Sequence, residues 1–386
     1  MRSLCTVSDL SIEEQLKIYD LAKQVKRSIK TSDYEAQPQL RINDENATTF
    51  LIFMEDSTRT KESFRAASLF HGGKVNVFDC TTSSFNKHET ITDTIKMLCG
   101  YSTGPVTFII RSKIEGVCRW LADVIPGFIS RNNLFPVRFI NAGDGRHEHP
   151  TQELLDEFSF LEQLDFDRSS IHIALIGDLV NGRTIHSKIE GLQIFRNVAV
   201  DLIAPPLLAL PDCYETRMIK AGFKIRKFGS LDEYLAVSEI APIFYFTRLQ
   251  LERMSVECIA KETELRASVT FRDDMRPVIP KGTRFYHPLP RNGKTPEIPF
   301  SVDDTDLNAW DRQSSNGFIV RIALLKALQG FSGTHEDGIR LDDRSCENPD
   351  CVTHQREVKG ATYESGVMQV CRYCDQEFRS SLEQGA

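Results

Sequence analysis

Short apolar runs of strand type alternate with segments of helical pattern along most of this chain of 386 residues. The apolar runs lie at residues 48–54, 74–78, 106–110, 137–140, 170–178, 198–203, 223–228, 243–247 and 284–286. Helical patterns follow several of these runs, at residues 62–69, 114–121 and 151–161 and from about residue 186. Strands that alternate with helices form parallel α/β sheets. The sequence therefore predicts two doubly wound parallel-sheet domains, with the division between them near residues 160–170.

Two further helices and a linker complete the predicted organisation. Residues 12–27 have apolar side chains at helical spacing, with Ser11 placed as the N-cap and Glu14 three residues later. Residues 318–328 are typical of a strongly apolar helix, and the Gly-rich segment after it is typical of a linker. We expect a first domain at 1–160, a second at 161–310, a helix at 311–329 that packs back on the first, a linker at 330–338 and a small C-terminal domain at 339–386.

Composition and charge argue against several classes of protein. Hydrophobic residues make up 41% of the chain and charged residues 26%, which is ordinary for a globular protein. The longest apolar runs are far shorter than the roughly 18 residues that a membrane-spanning helix requires. The formal charge of −7 gives no general electrostatic reason to bind nucleic acid or an anionic membrane. The N-terminal residues lack the apolar segment of a secretion signal, so we expect a cytoplasmic protein without nucleic-acid or membrane partners.

Four of the ten cysteines lie close together, in the pattern Cys346-x4-Cys351-x19-Cys371-x2-Cys374. Four thiolates at such spacing in a reducing compartment are typical of a structural tetrahedral zinc site. Two disulfides are the alternative. A segment of roughly 40 residues is too short to bury an adequate core by itself, so we expect bound metal to stabilise it.

Four arginines, Arg59, Arg111, Arg183 and Arg248, each follow a different predicted strand. Because the carboxyl ends of parallel strands meet at one edge of a sheet, these guanidinium groups imply substrates with several negative charges. The sequence contains no P-loop lysine, catalytic serine motif or HExxH zinc motif. We therefore expect chemistry that rests on positioning and electrostatics.

Two predicted strand-to-helix junctions carry further candidate groups. At residues 57–60, Ser-Thr-Arg-Thr would place hydroxyls and backbone N–H groups at a helix N-terminus, where an anion is favoured. The alternative is that Ser57 or Thr58 only caps the helix and that Arg59 is solvated. In the second junction His149 is placed to polarise a carbonyl oxygen and Gln152 to hydrogen-bond an amide, although a lone histidine is more often structural.

Five motifs, in order, resemble those of the aspartate carbamoyltransferase family over about residues 1–330. They are Ser-Thr-Arg-Thr at 57–60, His-Pro-Thr-Gln at 149–152, Gly-Asp-x3-Gly-Arg-Thr-x-His-Ser at 177–187, Thr-Arg-x-Gln-x-Glu-Arg at 247–253 and His-Pro-Leu-Pro-Arg at 287–291. The resemblance implies carbamoyl transfer from carbamoyl phosphate to L-aspartate, an early step of pyrimidine synthesis. The alternatives are transfer to another amine such as ornithine, and a catalytically silent scaffold whose active element is the zinc domain. The first two motifs are shared with ornithine carbamoyltransferase, but that family is expected to have His-Cys-Leu-Pro at 287–290.

The resemblance also implies roles for individual residues. The carbamoyl phosphate ligands would be Ser57, Thr58, Arg59 and Thr60 for the phosphate, Arg111, His149 and Thr60 for the carbonyl oxygen, and Gln152 with the main-chain carbonyls of Pro288 and Leu289 for the amine. The aspartate ligands would be Arg183, Arg248 and Gln250, with Lys87. The catalytic groups among them would be Arg59, Thr60, Arg111, His149 and Lys87. Glu55 would bridge to Arg183 and Arg253 across the closing domains, and no organic cofactor is implied.

Residues 83–90 resemble the mobile loop of this family, which reaches into the active site of a neighbouring subunit. We assign the serine and lysine of that loop to Ser84 and Lys87. The resemblance therefore implies a homotrimer, alone or within a larger assembly such as a dimer of trimers. Two positions depart from the family pattern: His88 stands where glycine is usual, and Asp56 where proline or alanine is more common.

The cysteine-containing segment resembles a second chain of the same family. Residues 339–378 are similar to the zinc domain of the separate regulatory chain of bacterial aspartate carbamoyltransferases. The nucleotide-binding domain that precedes it in that chain has no counterpart in this sequence. We therefore expect a catalytic chain fused to a β domain that binds Zn²⁺ through Cys346, Cys351, Cys371 and Cys374.

Overall fold

The computed structural model of this chain describes residues 1–33, 36–80, 89–251, 254, 256–331, 340–342, 345–355, 358–365 and 368–379. The chain divides into two compact units, Met1–Thr151 together with Phe318–Ala386, and Gln152–Gly317. In the ranges described, no helix combines the length and the apolar character needed to cross a membrane.

Within these ranges the strands fall into three sheets, two parallel and one antiparallel. They are β1 Thr48–Phe53, β2 Lys74–Phe78, β3 Val106–Ser112, β4 Val137–Asp144, β5 Ile171–Ile176, β6 Val198–Ile203, β7 Lys224–Phe228, β8 Ile243–Phe246, β9 Arg284–Tyr286, β10 Arg340–Asp342, β11 Thr362–Ser365, β12 Met368–Cys371 and β13 Glu377–Arg379.

The α-helices lie mostly between these strands. They are α1 Ile12–Lys30, α2 Gln37–Leu40, α3 Thr58–Phe70, α4 Ile91–Cys99, α5 Val117–Arg131, α6 Pro150–Gln163, α7 Arg183–His186, α8 Lys188–Gly191, α9 Asp212–Lys220, α10 Leu231–Leu235, α11 Val256–Ala260, α12 Glu262–Val269 and α13 Trp310–Gly330.

The first unit contains a parallel sheet in the order β2-β1-β3-β4. Strands β3 and β4 are buried along their whole length. This burial explains why most of the residues in the first part of each strand are apolar. The carboxyl ends of β1, β3 and β4 lie side by side, with Phe53 opposite Arg111 in the register. This edge of the sheet therefore gathers Arg59, Arg111 and His149, which are on or just after three neighbouring strands.

The second unit contains a parallel sheet in the order β7-β6-β5-β8-β9. The carboxyl ends of β5, β8 and β9 are neighbours in that order, and the segments after them carry Arg183, Arg248 and Pro288. The ligand groups expected in this unit thus also lie at the carboxyl edge, where open α/β sheets bind ligands.

The predicted α/β alternation is confirmed, and the N-terminal helix begins where expected. The Ser11 hydroxyl accepts from the Glu14 N–H at 3.2 Å, and the Glu14 carboxylate accepts from the Ser11 N–H at 2.9 Å. The helix expected from about residue 186 is present as α8, but it has only four residues, and the separate four-residue helix α7 precedes it. The break falls at Ser187, whose hydroxyl donates to the Arg183 carbonyl at 3.1 Å, a local bond that bends helices.

The boundaries of the compact units differ from the predicted domain limits. The units divide after Thr151 and after Gly317, inside α6 and α13, whereas the sequence placed these divisions near residues 160 and 310. The later part of α13 belongs to the first unit, where the Ile322 carbonyl lies 2.9 Å from His71 Nε2. Most of the expected linker lies outside the described residues, and the five-part division stays a prediction.

A C-terminal module, residues 340–379, carries an antiparallel sheet in the order β10-β11-β12-β13. It joins the α/β part of the first unit through apolar and polar contacts. Val352 and Tyr373 of the module belong to the same buried hydrophobic cluster as α5. Glu115 pairs with the module as a short parallel bridge, in which its N–H donates to the Asp350 carbonyl at 2.9 Å. On α5, Arg119 donates to Asp375 at 3.0 Å, and Asp123 accepts from Arg372 at 2.7 Å.

Candidate functional site

The N-terminus of α3 presents several groups that suit an anion. Ser57 is the N-cap residue in an extended conformation, and its side chain makes no capping hydrogen bond within the described part of the chain. Thr58 and Arg59 are exposed, whereas Thr60 is buried. Ser57 therefore does not cap the helix through its side chain, whereas the exposure of Arg59 is what the capping alternative expects. The first backbone N–H groups of a helix have no intrahelical partner, so together with these hydroxyls and the guanidinium they could bind an anion.

Arg111 is held rigidly at the end of β3. One guanidinium nitrogen donates to the Ala142 carbonyl at 3.1 Å, and the other lies 2.9 Å from the Glu55 carboxylate. The side chain is buried, so this pairing compensates its charge. The planar group is thus fixed before any substrate binds. The expected bridge from Glu55 to Arg183 and Arg253 stays a prediction, since Arg253 lies outside the described residues.

His149 lies between two threonine hydroxyls and is 4% exposed. Its Nε2 is 3.5 Å from Thr60 Oγ1, and its Nδ1 is 3.5 Å from Thr151 Oγ1. Arg321 donates to the same Thr151 oxygen at 3.4 Å. When the Thr151 hydroxyl hydrogen points at Nδ1, the ring proton is on Nε2, the nitrogen beside Thr60. An imidazole N–H of this kind can donate to a carbonyl oxygen on which negative charge develops.

Gln152 and a loop after β9 supply hydrogen-bond acceptors in the second unit. The Gln152 amide nitrogen donates to Asp156 at 2.8 Å, so its oxygen is the part that can accept from a ligand. Pro288 and Leu289 precede a cis peptide bond at Leu289-Pro290. The Leu289 N–H donates to His287 Nδ1 at 2.8 Å, and burial lowers the pKa of His287, consistent with a neutral ring.

The turn after β5 and the segment after β8 are tied together by Asp178. Its carboxylate accepts from the N–H of Asn181 at 3.1 Å and from the N–H of Gln250 at 3.0 Å. The Gln250 amide nitrogen donates to the Asn181 carbonyl at 2.8 Å. Burial raises the pKa of Asp178, although these donors and the charge of Arg248 oppose the shift. Arg183 and Arg248 are therefore mounted on two segments that are linked to each other.

Sequence reasoning missed a buried charged cluster in the second unit. Glu153, Asp156 and Lys188 are fully buried, and Lys188 Nζ lies 2.5 Å from Glu153 and 2.9 Å from Asp156. The one signal in the sequence is the spacing of Glu153 and Asp156, three residues apart on α6, which places both on one helix face. Ser84 and Lys87, expected from a neighbouring subunit, lie outside the described residues.

The four clustered cysteines bring their sulfur atoms together in the C-terminal module. All four are buried and unbridged, and their Sγ atoms lie within 4.8 Å of one another. Two of the separations are 3.6 Å, between Cys346 and Cys374, and 3.7 Å, between Cys351 and Cys371. Tetrahedral zinc with Zn–S bonds of about 2.3 Å requires S···S separations of about 3.8 Å. The site therefore fits a metal ion, and the alternative of two disulfides has no support here.

Known proteins resemble this chain over most of its length. Residues 2–162 match the family model described as "Aspartate/ornithine carbamoyltransferase, carbamoyl-P binding domain". Protein PyrBI of Treponema denticola is 48% identical over 375 residues, which cover 95% of this chain and 69% of that protein. Protein PyrBI of Thermotoga maritima is also 48% identical, over 92% of this chain and 68% of that protein. An aspartate carbamoyltransferase catalytic subunit of Brachyspira hyodysenteriae is 30% identical, with 98% of this chain and 99% of that protein covered.

Solved structures of related fold give the same picture. Aspartate transcarbamoylase of Trypanosoma cruzi in complex with N-(phosphonacetyl)-L-aspartic acid superposes with a TM-score of 0.71 at 30% identity, over 84% of this chain and 95% of that one. The catalytic subunit of M. jannaschii aspartate transcarbamoylase gives a TM-score of 0.71 at 30% identity, over 86% of this chain and 98% of that one.

Proposed function

This chain belongs to the aspartate carbamoyltransferase family, and from that premise we propose how its residues divide the reaction. The reaction transfers the carbamoyl group of carbamoyl phosphate to the amine of L-aspartate, giving N-carbamoyl-L-aspartate and phosphate for pyrimidine synthesis. The observation that carries the assignment is the carboxyl edge of the first sheet, where an α-helix N-terminus, a fixed arginine and a buried histidine follow neighbouring strands.

Carbamoyl phosphate binds, in this proposal, to groups from that edge. Ser57, Thr58, Arg59 and Thr60 hold the phosphate, and Arg111, Thr60 and His149 donate to the carbonyl oxygen. The carbonyl oxygen gains negative charge as the tetrahedral intermediate forms, so donors already fixed in place lower the barrier. Gln152 and the main-chain carbonyls of Pro288 and Leu289 accept from the amine.

L-Aspartate binds, in this proposal, to the segments after β5 and β8. Arg183, Arg248 and Gln250 hold its two carboxylates, and Asp178 keeps those segments in register. Binding of both carboxylates directs the α-amine at the carbonyl carbon, so much of the acceleration comes from orientation. The rate then depends on positioning and electrostatics, without a covalent intermediate on the enzyme.

Two arginine variants test the division between substrates. Arg59→Ala should lower kcat/KM for carbamoyl phosphate by about 1,000-fold or more, because Arg59 binds the leaving phosphate. Arg248→Ala should raise the KM for aspartate by about 100-fold and leave the affinity for carbamoyl phosphate within about threefold. Steady-state kinetics and calorimetric titration with carbamoyl phosphate measure both effects.

The matched control is Arg65→Ala, which removes an exposed arginine of α3 whose partner is Glu62 on the same helix. It should leave kcat/KM for carbamoyl phosphate and the KM for aspartate unchanged, since exposed ion pairs contribute little to stability. Equal loss of carbamoyl phosphate binding in Arg59→Ala and Arg248→Ala would contradict the assignment. Parallel assays with aspartate and ornithine test the alternative acceptor. Inactivity with both acceptors would leave the catalytically silent scaffold as the remaining alternative.

We further propose that the four-cysteine group binds structural Zn²⁺. Support comes from four buried sulfurs at separations that suit tetrahedral coordination, and from the backbone N–H of Asn348, which donates to Cys346 Sγ at 3.4 Å. Such a metal has no open coordination position, so its contribution is to the folding of the module. We also propose a cytoplasmic location, the kind of compartment in which unpaired thiols persist.

We propose a homotrimer in which Ser84 and Lys87 complete the active site of a neighbour. Exposed apolar side chains near the edge strand β2 support a subunit contact there, since Leu69 is 53% and Val77 52% exposed. Lys87→Ala and Arg59→Ala should each be nearly inactive. Mixed in equal amounts, dissociated and reassembled, they should regain about a quarter of the wild-type sites, because each site draws on two chains. Hybrids that mass spectrometry shows to be mixed and that stay inactive would place Lys87 in the site of its own chain.

A further inference from the structure

Asp156 is a fully buried carboxylate that receives four hydrogen bonds. Its Oδ1 accepts from the amide nitrogens of Gln152 at 2.8 Å and Gln313 at 2.6 Å. Its Oδ2 accepts from Lys188 Nζ at 2.9 Å and from the Tyr245 hydroxyl at 2.6 Å. A carboxylate can only accept, so it fixes the direction of all four bonds.

The first consequence concerns Gln152. Because its nitrogen donates to Asp156, its carbonyl oxygen is the atom that remains for a ligand. An amide side chain can present either a donor or an acceptor, and the neighbouring carboxylate decides between the two.

The second consequence reaches the loop after β9 through Gln313. Since the Gln313 nitrogen donates to Asp156, its oxygen accepts from the His287 N–H at 2.9 Å. His287 Nδ1 in turn accepts from the Leu289 N–H at 2.8 Å. A single chain of directed hydrogen bonds therefore links Asp156 to the loop that carries the Pro288 and Leu289 carbonyls.

Lys188 supplies the charge that allows Asp156 to be buried. It is itself fully buried and shared with Glu153, so two carboxylates face one ammonium group. Burial raises the pKa of Glu153 to about 7, and the charge of Lys188 opposes this shift. Loss of the Asp156 charge would still leave Lys188 with a carboxylate partner.

We propose that Asp156 is a positioning residue that makes the enzyme selective for a carbamoyl group, by turning the oxygens of Gln152, Pro288 and Leu289 toward the amine. This inference rests on the proposed function, which assigns those three acceptors to the carbamoyl amine. An acetyl group has a methyl where the carbamoyl group has two N–H donors. Three acceptors in fixed directions therefore favour carbamoyl phosphate over acetyl phosphate, which leaves them unpaired.

The variant Asp156→Asn keeps the volume of the side chain and reverses the direction of some of the four hydrogen bonds at this position. Lys188 and Tyr245 both donate, so the oxygen of the introduced amide is expected to face them and its nitrogen to face Gln152 and Gln313. Gln152 would then present its amide nitrogen to the carbamoyl amine, so that two hydrogen-bond donors would face each other. The same reversal in Gln313 would turn its amide nitrogen toward the His287 N–H, which is also a donor.

The matched control is Glu153→Gln. Glu153 is as buried as Asp156 and shares the Lys188 ammonium, but its side-chain contacts are with Lys188 and Glu157 rather than with Gln152 or Gln313. A neutral side chain at position 153 resembles the protonated acid. This variant should therefore retain kcat/KM for carbamoyl phosphate within about threefold.

The test compares carbamoyl phosphate with acetyl phosphate as donors to aspartate, in the full-length zinc-loaded enzyme. Asp156→Asn should lower kcat/KM for carbamoyl phosphate about 100-fold and reduce the preference over acetyl phosphate at least about tenfold, with the aspartate KM within about threefold. A merely structural role would weaken both donors equally and leave the preference unchanged. An unchanged preference in Asp156→Asn, or an equal loss in Glu153→Gln, overturns the proposal.

Two further variants keep the result interpretable. If Gln152→Ala leaves carbamoyl phosphate use unchanged, the assignment of Gln152 in the proposed function is wrong, and the inference falls with it. If Gln152→Ala is impaired and Asp156→Asn is not, only the positioning role fails.

Should Asp156→Asn not fold, Gln313→Leu removes only the hydrogen bonds that link Asp156 to the loop after β9. It should lower kcat/KM for carbamoyl phosphate about tenfold, and no change would overturn the proposal.

Discussion

Gly177 sets how closely the turn after β5 approaches the segment after β8. Its φ of +116° is one that side-chain-bearing residues rarely adopt, and a Cβ there would lie 2.3 Å from the Thr247 carbonyl oxygen. Thr247 cannot retreat easily, because its N–H donates to the Ile176 carbonyl at 2.8 Å. The glycine therefore permits the approach that lets Asp178 bind the Gln250 N–H.

Replacing Gly177 should affect aspartate more than carbamoyl phosphate. Gly222→Ala is the matched control, since Gly222 also has a positive φ, of +84°, and a Cβ there meets nothing within 4 Å. We expect Gly222→Ala to lower the free energy of unfolding by about 1 kcal/mol through backbone strain alone. Gly177→Ala should cost about 3 kcal/mol or more and raise the aspartate KM at least about tenfold. Denaturant unfolding and aspartate saturation curves measure both, and equal losses in the two variants would contradict the role of close approach.

Candidate ligand groups can be predicted from the sequence, but the buried groups beside them cannot. Arg59 and His149 lie in family motifs, and these two residues and Arg111 are on or just after neighbouring strands. Asp156 and Lys188, by contrast, are charged residues of a kind that is mostly exposed. Only tertiary packing shows that both are buried and bonded to each other.

Helices α1 and α3 use their N-termini in opposite ways. The Ser11 hydroxyl of α1 closes a reciprocal pair of hydrogen bonds with Glu14. Ser57, at the equivalent position of α3, makes no such side-chain bond among the described residues. The first terminus is satisfied by its own side chains, and the second is available to a ligand.

The same substitution at these two positions should therefore have different effects. Ser11→Ala should lower the free energy of unfolding by about 1 kcal/mol and leave kinetics unchanged. Ser57→Ala should leave stability within about 0.5 kcal/mol and raise the KM for carbamoyl phosphate about tenfold or more. Thermal unfolding and initial rates provide the two measurements. A stability loss at Ser57 without a kinetic effect would restore the interpretation of this residue as a simple cap.

Strands were easier to predict than the helices around the second sheet. Strands β1 and β8 each end one residue earlier than predicted, because buried parallel strands are short continuous apolar runs. The exposed edge strand β2 has the predicted limits, although its apolar and polar residues alternate. The helix expected from about residue 186 is instead two four-residue helices, α7 and α8, that meet at Ser187. The Arg183 carbonyl accepts from both the N–H and the hydroxyl of Ser187, a local interaction that bends helices and that composition does not reveal.

The cysteine spacing predicts that the first unit has a separate C-terminal module, but it does not predict the surface through which that module docks. Cysteine positions predict a metal-sized cluster, but nothing in them predicts that Glu115 forms a backbone bridge to Cys351. Likewise, the aromatic contact between Trp120 and Tyr373 joins two segments that are far apart in sequence. Docking partners of this kind are fixed only when the chain is folded.

Loss of the metal should unfold the C-terminal module and leave part of the catalytic activity. Cys371→Ser removes one proposed ligand, and Cys213→Ser, at an exposed cysteine of the second unit, is the control. The first should lose zinc and the antiparallel sheet and should reduce the size of the assembly, while the second should bind one zinc ion per chain as the wild type does. Elemental analysis, circular dichroism and sedimentation measure these outcomes. Fully assembled wild-type protein without zinc would rule out the proposal.

The contacts between the module and α5 have a consequence for how the protein is assembled. They combine the ion pairs of Arg372 with Asp123 and Arg119 with Asp375 with the aromatic contact between Trp120 and Tyr373. Between two separate polypeptides, such a surface would have to overcome the entropy of association at cellular concentrations. Within one chain the local concentration of the module is on the order of millimolar, whatever the abundance of the protein. Covalent continuity thus makes docking of the module independent of dilution.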